Sequence, residues 1–178
     1  MSENMLDQNT EARIYVYLLR QDDPKKCTSS KLVKFKLVKP LYRASQIKRK
    51  MIILNPFAKK ILSNSDRATI QKYGIVIVDC SWEKSTLLFY KKLSRGQNRR
   101  LPLLLAANPI NYGKLGKLSS AEALYSALFI TDFISQASQI LSIFKWGKSF
   151  TSLNASPLEE YRLVKNYEDI SRIEKEFF

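Results

Sequence analysis

The chain has 178 residues, with 30 Lys and Arg against 16 Asp and Glu, two cysteines and no histidine. That length supports one large or two small cores. No apolar run reaches the roughly 18–20 residues of a membrane span, and the polar first ten residues carry no leader pattern, so a cytoplasmic protein with no membrane partner is expected. Without histidine, Ser-His-Asp and Cys-His catalysis and His-containing zinc sites are excluded. Cys27 and Cys80 are too few for a four-thiolate metal site, so no metal is expected, and proton transfer falls to Asp, Glu, Lys, Tyr or water. The net charge of +14 points to a polyanionic partner, because neutralising phosphates releases counterions.

In chain order, residues 13–20 alternate and are rich in β-formers, which predicts a first strand. Gln21–Pro24 is a polar turn. From Pro24 to Ser65 there is no acidic residue, while twelve basic ones occur, from Lys25 and Lys26 through Lys31, Lys34 and Lys36 to Lys59 and Lys60. A solvated face normally mixes signs. Leu32, Val33, Phe35, Leu37, Val38 and Ile47 are interleaved with the charges and favour a folded basic surface over a flexible arm. Met51–Leu54 reads as a short buried strand ending at Asn55-Pro56. Ser65–Tyr73 reads as a short helix capped by Ser65 and ended by Gly74. Ile75–Val78 has the β-branched, apolar character of a central parallel strand. Ser85–Leu93 has helical spacing, Ser94–Arg100 is a basic connection, and Leu101–Ala107 reads as the next buried strand.

The loop Asn108–Leu118 contains two glycines. Ser119-Ser-Ala-Glu122 then matches a capping box. Helical spacing continues to about Phe144 with a break expected near Thr131–Ser135. Ser156-Pro-Leu-Glu159 is a second capping box with Pro at the first helical position, opening a last helix through about Lys175. Strands alternating with helices predict an α/β fold. A boundary near residue 100 separates a basic, strand-rich part, 1–100, from a helical part, 101–178.

Two strand ends carry chemistry. Asp79 closes a buried strand at a sheet's carboxyl edge, where open α/β sheets bind ligands. It is a general base, a cofactor contact or a helix cap. Trp82 packs a cofactor or the core, and Cys80 is a small buried residue rather than a nucleophile. The Asn108–Leu118 loop lacks both the P-loop and the dinucleotide glycine patterns, so it would hold a ligand through backbone groups. Ser119 and Ser120 at the helix start receive a carboxylate or cap the helix.

Four stretches together, DDPKKCTSSKL, GIVIVDCSW, LPLLLAANPINYGKLGKLSSAEAL and FKWGKSF, resemble the ribosome-biogenesis aminocarboxypropyltransferases of archaea and eukaryotes. The resemblance runs from about Asp22 to Phe150. It implies an N-terminal α/β domain with a C-terminal SPOUT-like domain containing a deep trefoil knot. It also implies S-adenosylmethionine (SAM) as cofactor. Its 3-amino-3-carboxypropyl group goes to N3 of a pseudouridine, usually N1-methylated, in small-subunit rRNA. Carried onto this chain, the cofactor contacts fall on Thr28, Val78, Leu101, Gly116, Leu118 and Ser120, with Leu54, Pro56 and Trp82 as apolar walls. Lys26, Lys31 and Lys34 match a region that grips RNA. Asp79 is the candidate base for the acceptor N3–H, and family resemblance implies a monomer. The alternatives are a SPOUT-type rRNA methyltransferase and a non-enzymatic RNA-binding assembly protein.

Overall fold

The computed structural model describes residues 11–19, 28–79, 93 and 95–178. Among them the first strand, β1 (Ile14–Leu18), is followed by α1 (Thr28–Lys34) and β2 (Lys39–Leu41). Next come β3 (Ile52–Leu54), α2 (Arg67–Tyr73), β4 (Ile75–Asp79) and β5 (Gln97–Arg99). Five helices complete the chain: α3 (Ser120–Ile130), α4 (Ile134–Ser142), α5 (Gly147–Leu153), α6 (Ala155–Leu163) and α7 (Tyr167–Phe177). The strands form one parallel sheet in the order β2-β1-β4-β3-β5, so the α/β class expected from the sequence is the one observed.

The period of two along each strand sorts the side chains onto two faces. Ile14 and Val16, Ile52 and Leu54, and Ile75 and Ile77 enter a large core that extends to Ile173. Tyr15 and Tyr17, Ile53, and Val76 and Val78 belong to a second cluster with Leu41, Ile47 and Leu93. α3 carries the main core: it packs against α1, α4, α6 and β4, and it buries residues around its whole circumference, including Leu124, Tyr125, Ala127 and Leu128. Such a helix has no solvent stripe because it is enclosed.

Local signals place several boundaries. Gly74 ends α2 at φ 99°, and a Cβ there would lie 2.9 Å from the Arg13 carbonyl oxygen and 2.7 Å from the Tyr15 ring. Glycine is therefore required on both conformational and steric grounds. The break after α3 falls at Thr131–Phe133, within the expected window, with Asp132 in the left-handed region at φ 61°. Burial alone would raise the Asp132 carboxyl. Hydrogen bonds from Asn64 and Arg162, with the charges of Arg162 and Arg67, outweigh it and hold it below the usual range. The basic stretch 28–60 is folded: Leu32, Val38 and Ile47 are buried, whereas Phe35 is exposed.

Three expectations are corrected. Leu101–Ala107 is extended but is not a sheet strand. Its one bridge is Leu105 to Leu115, and the fifth strand is Gln97–Arg99, inside the stretch read as a connection. This short polar strand is tenable because Arg99 turns inward onto Asp66 at 3.0 Å, both nearly fully buried. The expected last helix is two helices, divided at Val164–Asn166, where the Asn166 side chain accepts from the Asp169 amide and restarts the chain as α7. Ser156 therefore caps nothing at the start of α6, which follows Asn154. Likewise α2 begins two residues late, behind a 3-10 turn (Asn64–Asp66) that starts at Ser63, not Ser65. Residues 85–92 of the expected helix lie outside the described residues.

Candidate active site

Sheet order alone designates a crevice. The chain leaves β1 toward β2 on one side, while it leaves β4 toward β5 on the other, past β3. β1 and β4 are adjacent and in register, with Tyr17 opposite Val78 and Leu18 opposite Asp79. Connections that diverge from neighbouring parallel strands open a crevice at their carboxyl ends, and this is where such sheets bind ligands. Val78 and Asp79 therefore stand at the switch point. Both are half-buried, and the pleat turns Asp79 to the face of the main core and Val78 to the opposite one.

Neighbouring strand ends bring further predicted residues to the same edge. Leu54 closes β3, is buried, and is followed by exposed Pro56. Asn55 between them locks this corner: its amide donates to the Arg99 carbonyl at 2.8 Å, its side chain donates to Asn98 at 3.0 Å, and it accepts from the Phe57 amide at 2.9 Å. Leu101, half-buried, lies two residues past β5. Thr28 is the first residue of α1, the helix after β1.

The segment from Leu101 onward is held by side chains where a strand would be held by a neighbour. Glu174 of α7 accepts from the Leu103 amide at 3.0 Å and grips Arg100 through both carboxylate oxygens, at 2.8 and 3.2 Å. The Tyr161 hydroxyl donates to the Leu103 carbonyl at 3.1 Å, and burial pushes its ionisation far up, so it stays a donor. Asn154, fully buried, brackets Leu105 by donating to its carbonyl and accepting from its amide, at 2.9 and 2.8 Å. Apart from the Arg100 guanidinium, the groups so bonded are backbone donors and acceptors of Leu103 and Leu105, which in a strand would pair with a neighbouring strand.

Glu122 closes the loop. Fully buried, it accepts from the amides of Ala107 and Asn108 through one oxygen, at 2.7 and 2.9 Å, and from the Asn108 side chain and Ser119 amide through the other, at 2.7 and 2.6 Å. The Ser119 hydroxyl oxygen in turn accepts from the Glu122 amide at 3.3 Å, completing the predicted capping box. The clamp on Ala107 and Asn108 is an addition that sequence reasoning missed. The signal was the capping-box glutamate itself, whose second oxygen is free to serve another chain segment. The Asn154, Tyr161 and Glu174 braces gave no local sign.

Between these anchors, Gly113 and Gly116 have φ 74° and 71°, and a Cβ at either meets nothing within 4 Å. Open space therefore faces the loop backbone. The Gly116 amide donates to the Leu104 carbonyl at 2.8 Å, Leu118 is buried, and Ser120 is half-buried on the first turn of α3. Apolar walls (Leu54, Leu118), a hydroxyl and a carboxylate (Ser120, Asp79) and accessible backbone groups match what a nucleoside with an amino-acid tail requires. These residue types are the kinds that SAM requires.

Lys31 and Lys34 lie on α1. The Lys31 ammonium meets the Ile143 carbonyl at 2.5 Å and sits 4.7 Å over the Phe144 ring, so α1 is tied to the FKWGKSF stretch. Lys34 is exposed. Lys26, Cys80 and Trp82 lie outside the described residues.

Comparison with known proteins is consistent with this geometry. A family model described as "Ribosome biogenesis protein, C-terminal" matches residues 52–178. A second, "Possible Fer4-like domain in RNase L inhibitor, RLI", matches residues 12–43. Cys27 is the one cysteine in that window, so an iron–sulfur cluster, which needs four ligands, does not fit. A protein of Methanocaldococcus jannaschii named 16S rRNA aminocarboxypropyltransferase is 40% identical over 168 residues, 94% of this chain and 97% of its own length. One of Saccharolobus islandicus with the same name is 46% identical over 164 residues, 92% of this chain and 95% of its own. Among solved structures, the SAM-dependent rRNA:acp-transferase Tsr3 from Vulcanisaeta distributa superposes with a TM-score of 0.86 at 37% identity, over 92% of this chain and 88% of that one.

Proposed function

We propose, from the premise that this chain belongs to the 16S rRNA aminocarboxypropyltransferase family of ribosome biogenesis proteins, how its residues divide the work of that reaction. The protein is a SAM-dependent rRNA aminocarboxypropyltransferase. The acceptor is N3 of a pseudouridine, usually N1-methylated, in small-subunit rRNA. Residues 101–178 form the SAM-binding part, SPOUT-like and knotted. Residues 1–100 present the basic surface to RNA, and the enzyme works as a cytoplasmic monomer. The support for a knot is that Leu101–Ala107 runs beyond the sheet and is hydrogen-bonded both to loop 108–118 and to Asn154, Tyr161 of α6 and Glu174 of α7.

When bound, SAM supplies an electrophilic carbon beside its sulfonium, and bond formation from N3 to that carbon breaks the carbon–sulfur bond. The chain must select one of three such carbons, which is a matter of orientation. Leu54 and Pro56 would form apolar walls of the cofactor site, with Trp82, on the strength of the resemblance, near the methyl. Val78 and Leu101 offer backbone groups to the ribose and adenine, and Gly116 and Leu118 complete the adenine wall. Thr28 and Ser120 take the carboxylate and amino group of the tail. Asp79 accepts the N3 proton, as the sheet's switch-point carboxylate in a chain without histidine. Lys26 and Lys34 bind rRNA phosphate, and Lys31 shares that role with bracing α1.

The observation that carries this reading is the convergence of Val78, Asp79, Leu54 and Pro56 at one sheet edge in a chain whose relatives are named for this transfer. Incubating small-subunit rRNA isolated from cells lacking the enzyme, which carries the pseudouridine with N3 unmodified, with SAM labelled in the carboxyl or in the methyl group tests it. Carboxyl label enters rRNA and methyl label does not. Methyl incorporation identifies a methyltransferase, and absence of both labels identifies an assembly protein without this activity.

A further inference from the structure

The loop that frames the cofactor site also has an outer side. Ile110 is 84% exposed and Tyr112 is 68% exposed, the two most exposed large apolar side chains among the described residues except Leu163. Single exposed apolar residues are ordinary. These two differ because they stand two residues apart on a braced turn. The Asn108 side chain accepts from the Ile110 and Asn111 amides at 3.3 and 3.1 Å, and Asn111 is joined to Asn108 again through its backbone at 3.2 Å. Gly113 donates to the Ala106 carbonyl at 2.7 Å, and Lys114 accepts from the Ala106 amide at 3.1 Å. The Glu122 carboxylate pins Ala107 and Asn108 at the loop's base. A tip held this firmly presents its side chains at little entropic cost on binding.

Charge identifies the partner. Between Glu83 and Glu122 the chain carries no acidic residue, and Lys114 and Lys117 follow closely on Tyr112. An aromatic face beside ammonium groups, in a stretch of chain without acidic residues, is the arrangement that holds unpaired nucleotides: the base stacks and the backbone is neutralised.

We infer that the tip Pro109–Lys114 is an RNA-docking element, in which Tyr112 stacks on an unpaired rRNA nucleotide beside the acceptor and Lys114 holds its phosphate. The inference rests on rRNA being the substrate. It adds a second RNA contact, on the C-terminal side of the site, to the basic stretch 24–65.

Filter binding of in vitro-transcribed small-subunit rRNA to Tyr112→Ala, Tyr112→Trp and Lys114→Ala proteins, alongside calorimetric titration with SAM, tests it. Tyr112→Ala weakens rRNA binding about tenfold, within the range of one lost base stack. Its SAM affinity and the slope of log affinity against log salt are unchanged. Tyr112→Trp retains binding, and Lys114→Ala reduces the salt slope by about one. An rRNA affinity for Tyr112→Ala within about twofold of wild type, well short of one lost stack, overturns the inference. So does a loss confined to SAM binding. If the wild-type enzyme transfers no carboxyl label while the Tyr112→Ala binding defect is found, the activity reading falls and the docking element stands.

Discussion

Replacing Glu122 with Gln separates two roles of one residue. A capping box accepts Glu or Gln at its third position, so if Glu122 only capped α3 the change would be nearly neutral. In the structure the side chain meets four N–H donors and no acceptor: two backbone amides at one oxygen, and the Asn108 amide group and Ser119 amide at the other. A glutamine NH2 must replace one of these oxygens. Placed toward Ala107 and Asn108, it faces two backbone amides that cannot turn away. Placed toward Ser119, it strands that amide and forces Asn108 to flip its side chain, which breaks the bonds Asn108 accepts from Ile110 and Asn111. At best one buried backbone donor is orphaned and a second group is rearranged. With about 1–3 kcal/mol for each buried unsatisfied donor and bonds to a carboxylate at the upper end, the cost is about 3 kcal/mol. Urea unfolding measures it directly, and a chain of this size loses roughly 6–12 °C in Tm. SAM affinity falls as well, since the clamp sets loop 108–118. A Glu122→Gln protein within about 0.5 kcal/mol of wild type, the scatter of neutral substitutions, refutes the clamp and leaves only the cap.

Other outcomes follow from the same geometry. Asp79→Asn leaves SAM affinity within about twofold by calorimetry and slows carboxyl-label transfer by about 10²–10⁴, the usual contribution of a positioned base; an unchanged rate removes Asp79 from that role. Asp66→Asn leaves the Arg99 guanidinium buried without its charge partner and costs about 3–5 kcal/mol in chemical denaturation. The Asp66→Leu/Arg99→Met double variant recovers a large part of that loss, because both charges are then gone. A double variant no more stable than Asp66→Asn shows that the pair's hydrogen bonds, and not its charges, set the cost.

The site was legible in the sequence to the extent that its parts are local. Ile75–Asp79 announced itself as a central strand because β-branched, apolar residues buried on both faces suit that position, and its terminal carboxylate came with it. Ser119 and Glu122 marked the start of α3 because a cap is satisfied within one turn. The break at Thr131–Phe133 was visible as a run too long for one helix.

What the amino-acid order determined alone is therefore the class of fold, the strong basic excess, the exclusion of histidine chemistry, and the segments whose hydrogen bonds close on themselves or on an apolar pattern. Tertiary structure decided where bonds close at a distance. An apolar run such as Leu101–Ala107 reads as a strand whether its partner is a strand or a set of side chains. Only packing shows that Glu122, Asn154, Tyr161 and Glu174 take the partner's place, up to 71 residues away. Gln97–Arg99 becomes the sheet's edge because Arg99 finds Asp66, a pairing 33 residues distant that no local propensity encodes. The order of strands, and with it the crevice at Asp79, is likewise a property of long-range pairing, in which the chain's local pattern has no part.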